Sequence, residues 1–564
     1  MSVLIEIDQI RSYLSAPGQP FELVERTIEG VPLTVYKNLP SNLSHLIAEA
    51  ERFGDRTFLV SGVRRLSYAE TLGQAAALAA WLRDVHGVGL GQRVAIASRN
   101  SPEWIIAFLA IQLTGATASL VNSRGTADEI VYAVHDTECG LVIADIKRAE
   151  ALAGRFVGPV VVADSDGGFR GPDGGSIDLS PAPVQPSAAV HGDPAIIMFT
   201  SGTTGRPKGA VLNHRGVGTF LFGMRHNGAA YLAQAAKRMG VEPQALIANM
   251  PQMATLAIFP LFHVSGASAM LMGALINGGK IVMVDRWNPA EALRLIAQER
   301  ITMFQGPPSI FWDVLNCPKF AGADVSSVTN IGIGGQATPP HLLELLLKRF
   351  PKAAPGGGFG QTETNGAIAS GTGAEYLANP KGSGRVLPGT EVRIVDEHGG
   401  DLPLGEVGEI WVRSPLNMAG YWNQPEANAA VFADGGWLKT GDVGCLDQDR
   451  FITVVDRKKD VVICGGENIY CAELERVFQE FPGVLEVAAF GVADDRLGER
   501  VVLAVVPLAG QTLSTEDMLG FGRTRLAGYK IPSEIVFTTI PFARNTVGKI
   551  DKPALRRGYA SQHT

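Results

Sequence analysis

The stretch Met198-Phe-Thr-Ser-Gly-Thr-Thr-Gly-Arg-Pro-Lys-Gly-Ala210 continues the apolar run that begins at Ala195, and the rest of the chain is read from it. Between Thr200 and Gly209 it holds three glycines, four hydroxyl side chains, an arginine and a lysine. Glycine lets the backbone approach a bulky anion. Hydroxyls and backbone N–H groups donate to its oxygens, and cations offset its charge. The expectation is a phosphate-holding loop after a buried strand. It is not the P-loop, which has Gly before Lys and Ser or Thr after it; here Pro207 precedes Lys208 and Gly209 follows. A mobile surface turn is the bland alternative, against which stands the regular interleaving of cations, hydroxyls and glycines.

Composition sets the frame for that loop. With 564 residues, 46% apolar and 19% charged, the chain is expected to be a soluble globular protein of two or more domains. A net charge of -7 argues against general binding of nucleic acid or anionic membrane, so phosphates must be held by local cations. The five cysteines (Cys139, Cys317, Cys445, Cys464, Cys471) lack metal-site spacing and suggest neither a disulfide framework nor zinc. Acids near Met1 argue against a signal peptide, and no apolar run is long enough for a membrane span; the expected compartment is the cytoplasm.

Helix and strand patterns alternate between residues 40 and 145, which implies a parallel sheet covered by helices. Leu66 to Leu82 has helical periodicity, Val94–Ala97 and Leu141–Ala144 read as buried strands, Ser101-Pro102 opens one helix and Thr126-Ala-Asp-Glu129 caps another. Residues 167 to 186, rich in Gly, Asp, Pro and Ser, form a surface connection. A second α/β series runs from Ala254 to Phe350, with a strand at Lys280–Asp285, a helix near Pro289 and another from His341 to Phe350. From about Gly389 short β segments follow (Glu391–Asp396, Gly408–Arg413), and after Asp456 a smaller α+β unit with a helix from Ala472 to Phe481 and strands near Val487 and Val501.

Five further stretches carry polar or glycine clusters: Gly356-Gly-Gly-Phe-Gly-Gln-Thr-Glu-Thr364, Thr440-Gly-Asp442, Asp456-Arg-Lys-Lys-Asp460, Gly465-Gly-Glu-Asn-Ile-Tyr470 and Pro541-Phe-Ala-Arg-Asn-Thr-Val-Gly-Lys-Ile550. Taken singly they read as a weak ligand-loop signal, a turn, a solvated charge run, a turn before a helix, and a solvated terminal lysine. In this order after the opening stretch they resemble the motifs of the AMP-forming, adenylate-forming enzymes, the superfamily of acyl-CoA synthetases, peptide-synthetase adenylation domains and beetle luciferases. The resemblance runs from about residue 45 to the end of the chain.

That resemblance implies an α/β protein: a large N-terminal domain (1–456) of two helix-covered α/β subdomains plus a β-rich subdomain, and a small mobile α+β C-terminal lid (457–564). It assigns Thr200, Ser201, Gly202, Thr203, Thr204, Gly205 and Lys208 to the departing phosphates of ATP. Gly358, Phe359 and Gly360 flank adenine, Thr362 touches phosphate, and Glu363 holds Mg2+, which is content with one carboxylate plus phosphate and water. Asp442 accepts the ribose hydroxyls, Arg457 approaches the ribose, Lys459 is the hinge, and Gly465 and Gly466 line the path of coenzyme A. Lys549 bridges the α-phosphate and the substrate carboxylate. Pro260-Leu-Phe-His-Val-Ser-Gly266 resembles the family's H-x-x-G segment, so Phe262 and His263 border the acyl pocket, although a His in an apolar run otherwise reads as core. Gly334, Gly335 and Gln336 lie where relatives have a loop beside the carboxylate and adenine. Phe359 stands where tyrosine is common; its ring face can still stack on adenine, without a phenolic oxygen.

Two half-reactions follow from the resemblance. A carboxylate attacks the α-phosphorus of ATP, giving acyl-adenylate and pyrophosphate, and the thiol of coenzyme A then expels AMP. The acid is already a nucleophile, so positioned cations rather than a general base are required; Lys549, His263, Glu363 and Thr200 are the catalytic candidates. Apolar segments 220–222, 259–262 and 331–333 point to a hydrophobic acid, medium- or long-chain fatty acids first and aryl or arylalkanoic acids second. An acyl-AMP ligase loading a carrier protein, a luciferase-like oxygenase and a non-catalytic nucleotide-binding module share these motifs. The resemblance is compatible with a homodimer.

Overall fold

The computed structural model describes residues 3–164, 166–200, 206–334, 338–544 and 550–563. They fall into two compact units, residues 1–392 with 412–438, and residues 393–411 with 439–564.

The helix Pro102–Thr114 organises the first unit. Its sequence, PEWIIAFLAIQLT, is apolar on every side, and every one of its residues is buried. A helix without a polar face needs cover all round. Strands of two different sheets and the helix Tyr68–His86 supply that cover. Its single charge, Glu103, is paired with Arg64. Ser101 caps its first turn, accepting from Trp104 N at 3.1 Å, and Pro102 follows as expected.

One sheet has the order Gly420–Tyr421, Lys208–Asn213, Pro194–Thr200, Thr117–Leu120, Arg93–Ala97, Leu141–Asp145, Val160–Ala163, Phe169–Arg170. Its central strands are parallel, and both ends turn antiparallel. The other has the order Arg385–Val386, Gly366–Thr372, Ala354–Gln361, Asn330–Ile333, Met303–Gly306, Ala254–Leu256, Lys280–Val282, Thr57–Ser61, Arg64–Ser67. These are the two helix-covered α/β layers that the alternating pattern implies. The capping box at Thr126 and Glu129 and the helix Pro340–Arg349 also form. The strand from Lys280 is shorter than its apolar run and ends at Val282.

The N-terminal segment is fastened by buried charge. Arg11 on the helix Val3–Leu14 donates to Glu375 at 2.6 and 2.9 Å and to Asn227 at 2.9 Å. Arg385 reaches the same carboxylate at 3.1 Å while holding Asp8. Burial raises the Glu375 carboxyl, but Arg11, Tyr231 and Arg385 together hold it below the usual range.

In the second unit, the hairpin Val484–Asp494 and Gly498–Pro507 alternates its side chains between two cores. Val487, Ala489, Val501, Leu503 and Val505 pack with Leu474 and Phe478 of the helix Cys471–Gln479. Ala488, Phe490, Val502 and Ala504 face the other way, toward Phe542, Leu555 and Tyr559. Asp456, read from sequence as part of a solvated run, is buried; its oxygens accept from Arg457 N at 2.7 Å and Ala472 N at 3.0 Å, which fixes the start of that helix. No helix among the described residues is long and apolar enough to cross a membrane.

A pH dependence is built into the first unit at His214, which begins the helix His214–Met239. Its Nδ1 accepts from Leu43 N at 3.2 Å, and burial pushes its pKa from 6.5 down to about 4. The unfolded chain therefore binds a proton that the folded chain refuses. Stability is full above pH 6.5 and falls as the pH drops toward 4, by roughly 3 kcal/mol from this group. Urea unfolding of the native chain and His214→Asn at pH 7.5 and 5 should show a smaller pH-linked loss in the variant.

Candidate functional site

Antiparallel pairing of Pro194–Thr200 with Lys208–Asn213 sets Thr200 opposite Lys208. Ser201, Gly202, Thr203, Thr204 and Gly205 lie outside the described residues. Lys208 and Gly209 belong to a strand rather than to the expected loop. A Cβ at Gly209 would stand 2.7 Å from Ile197 Cγ2, so cross-strand packing is the reason for that glycine. The Arg206 guanidinium lies 5.6 Å from the centre of the Tyr132 ring.

The glycine-rich stretch 356–360 is likewise no loop. It forms the strand Ala354–Gln361, paired with Gly366–Thr372. A Cβ at Gly358 would come within 2.6 Å of Ala369 O, and one at Gly360 within 1.9 Å of Gly366 O, so neighbouring backbone excludes side chains there. Phe359 between them is half-buried. The strand runs into a single 3-10 turn, Thr362–Thr364, closed by Asn365 at φ 55°. Asn365 Nδ2 donates to Leu416 O at 2.6 Å, and Met418 N donates to Glu363 O at 2.8 Å. The turn carrying Glu363 is thus tied to residues 416–418.

From there the chain enters the strand Gly420–Tyr421, which pairs with the hairpin as Ala210↔Tyr421 and Val211↔Gly420. This brings three segments together. The Tyr421 hydroxyl donates to Glu363 Oε1 at 2.8 Å, Thr200 hydrogen-bonds the same phenol, and Lys208 Nζ stands 5.3 Å from the centre of its ring. Burial, then the adjacent carboxylate, push the phenol well above its ordinary value, so it remains a proton donor. Tyr421 has no counterpart in the sequence reading. A glycine before an aromatic residue carries no signal of its own; the sheet register supplies its meaning.

Glu363 offers one carboxylate, and the described residues contain no cluster of three or more His, Cys, Asp or Glu suited to a metal. Such a donor set fits a magnesium ion held mainly by phosphate oxygens and water, and does not fit a zinc cage.

On the acyl side, Gly334 donates its N–H to Gly306 O at 3.3 Å, and Gly335 and Gln336 lie outside the described residues. His263 O accepts from Gly266 N at 2.9 Å and Ala267 N at 2.8 Å, opening the π-helix Ser265–Met272. A Cβ at Gly266 would fall 2.0 Å from Pro260 O, which explains the glycine three residues after His263. Phe262 is buried, its ring 4.8 Å from that of His263. Of the expected pocket walls, Phe220 and Phe222 are both buried, Phe220 against Gly366 and Phe222 against Phe21 and Tyr36. Ile331 and Ile333 differ from expectation: both lie in the hydrophobic core with Phe304 and Phe350, because alternate strand residues point away from the sheet's other face.

In the second unit, Asp442 and Arg457 are register partners, with Oδ1 and Nε 3.4 Å apart. Lys459 is exposed in the turn Lys458–Asp460. Gly465 and Gly466, both at positive φ, form the two-residue turn between Val462–Cys464 and Glu467–Ile469. Lys549 lies outside the described residues.

Residues 46–422 match the family model described as AMP-binding enzyme, and residues 473–549 match the AMP-binding enzyme C-terminal domain. The chain is 34% identical to a feruloyl-CoA synthase of Amycolatopsis sp over 88% of its own length and 95% of that protein's. It is 30% identical to a long-chain-fatty-acid–CoA ligase of Bacillus subtilis, covering 92% of this chain and 94% of the relative. The ATP-bound crystal structure of MatB from Rhodopseudomonas palustris superposes with a TM-score of 0.78 at 26% identity, covering 92% of this chain and 100% of that one.

The close backbone approach at Gly360 gives a test of the strand leading to Glu363. Gly360→Ala should destabilise the protein by about 1–3 kcal/mol, whereas Gly228→Ala, in a helix with open space around it, should be neutral or stabilising. Thermal unfolding of the two variants against the native chain measures both.

Proposed function

The chain belongs to the AMP-binding enzyme family as an AMP-forming CoA ligase, and we propose that it activates a hydrophobic carboxylic acid through an acyl-adenylate. The observation that supports this reading is the convergence of Thr200, Lys208 and Glu363 around Tyr421, a hydroxyl and a cation of the kind that bind phosphate beside a carboxylate of the kind that binds its counter-cation.

In the proposed first step, two anions must meet and negative charge builds on the leaving pyrophosphate. Lys208 and the hydroxyls from Thr200 to Thr204 stabilise that departing group, and Lys549 serves the α-phosphate and the acid. Glu363 would hold a magnesium ion, which would further neutralise phosphate charge. Phe359 offers its ring face to adenine, with Gly358 and Gly360 beside it, and Thr362 donates to phosphate. Asp442 and Arg457 receive the ribose. In the second step coenzyme A, guided along Gly465 and Gly466, attacks the acyl carbon and releases AMP, with Lys459 as the pivot between the two steps.

Among hydrophobic acids, ring-bearing ones are the first reading. They are supported by the identity to the feruloyl-CoA synthase. Medium- and long-chain fatty acids are the second, favoured by the Bacillus subtilis relative. Pyrophosphate release measured across aryl, alicyclic and fatty acids decides between them, and release with none of these acids would overturn the reading.

Lys549→Ala should lower adenylation about 10²–10³-fold, yet leave the conversion of supplied acyl-adenylate and coenzyme A to thioester largely intact. Equal loss in both half-reactions, in folded protein, would remove Lys549 from its assigned step.

A further inference from the structure

Lys208 and Glu363 carry opposite charges, and among the described residues each contacts the Tyr421 side chain. An ammonium and a carboxylate that share one neighbour attract each other, and on closing each would spend its charge on the other. Tyr421 contacts both. Its ring face takes the ammonium, a contact that leaves the charge of the lysine intact. Its hydroxyl takes Glu363 Oε1, and a neutral donor steadies a carboxylate without cancelling it. Backbone on both sides fixes the ring: Tyr421 N donates to Asn428 Oδ1 at 2.6 Å, and Trp422 N donates to Gly209 O at 2.8 Å. Gly420, at φ 144°, has the Asn428 side chain 3.1 Å from where a Cβ would be, so the chain is held closely at this point.

We infer that Tyr421 is a positioning residue that keeps Lys208 and Glu363 apart and separately charged, so that the lysine is available to nucleotide phosphate and the glutamate to the accompanying cation. The inference rests on the nucleotide-binding function proposed above. Tyr421 is assigned no contact with the substrate acid or the reacting phosphorus. Its effect passes through the two residues that it separates.

Nucleotide binding measured calorimetrically in a chelator, with no divalent cation present, isolates the lysine. Tyr421→Ala lets Lys208 and Glu363 pair, and its metal-free affinity for ATP should fall about tenfold. Adding Glu363→Gln to that variant removes the competing carboxylate and should restore metal-free affinity to near that of Glu363→Gln alone. A merely structural role for the tyrosine would give no such rescue. Tyr421→Phe keeps the ring, guards against a packing defect, and should bind metal-free ATP like the native chain while losing part of the gain in affinity that magnesium brings. Native-like metal-free affinity in Tyr421→Ala, absence of rescue in the folded double variant, or a Tyr421→Phe variant as weak as Tyr421→Ala would each overturn the inference. Failure of the native chain to bind ATP at all would instead overturn the functional reading on which it rests.

Discussion

The pairing of Lys208–Asn213 with the two-residue strand Gly420–Tyr421 is the contact on which the candidate site depends. One face of that pairing is local, since Lys208–Asn213 returns directly from Pro194–Thr200. The other joins residues more than two hundred positions apart. Without it Tyr421 would have no fixed place, Met418 would not hold Glu363 by its backbone, and the glutamate turn would be unconnected to the lysine hairpin. Two ladder pairs thus set the relation between a cation and an anion whose attraction, left to itself, would collapse the site.

Charge is handled by distinct means in different parts of the first unit. The N-terminal helix uses direct pairing: Arg11 and Arg385 close on the buried Glu375 carboxylate, and the groups neutralise one another. Such pairing fixes geometry and leaves nothing for a ligand. Around Tyr421 a ring face and a phenol replace the direct pair, and both charges persist. In a chain of net charge -7, which repels polyphosphates at long range, local charge kept in this way is what a nucleotide site needs.

Glycine shows how far the sequence can be read. Its abundance near Thr200 and from Gly356 to Gly360 was legible as close approach, but not what approaches. At Gly209 it is the Ile197 side chain, at Gly358 and Gly360 the backbone of the adjacent strand, and at Gly266 the carbonyl of Pro260. Only pairing and register distinguish these from approach to an anion. The expected pocket residues teach the same lesson. Phe220, Phe222, Ile331 and Ile333 read in the sequence as pocket walls, yet all four are buried by packing. Period-two alternation tells which residues share a face without telling which face meets the core.

The sequence by itself determined the two α/β layers, the capped starts of their helices, the family, and the polar stretches in their order. Each of these follows from local pattern: apolar periodicity, cap residues, and short runs of fixed chemistry. Tertiary structure decided which glycines serve packing, that Asp456 is a buried helix anchor, and that Tyr421 joins Lys208 to Glu363. These depend on contacts between residues far apart in the chain, and a linear pattern carries no record of sheet register.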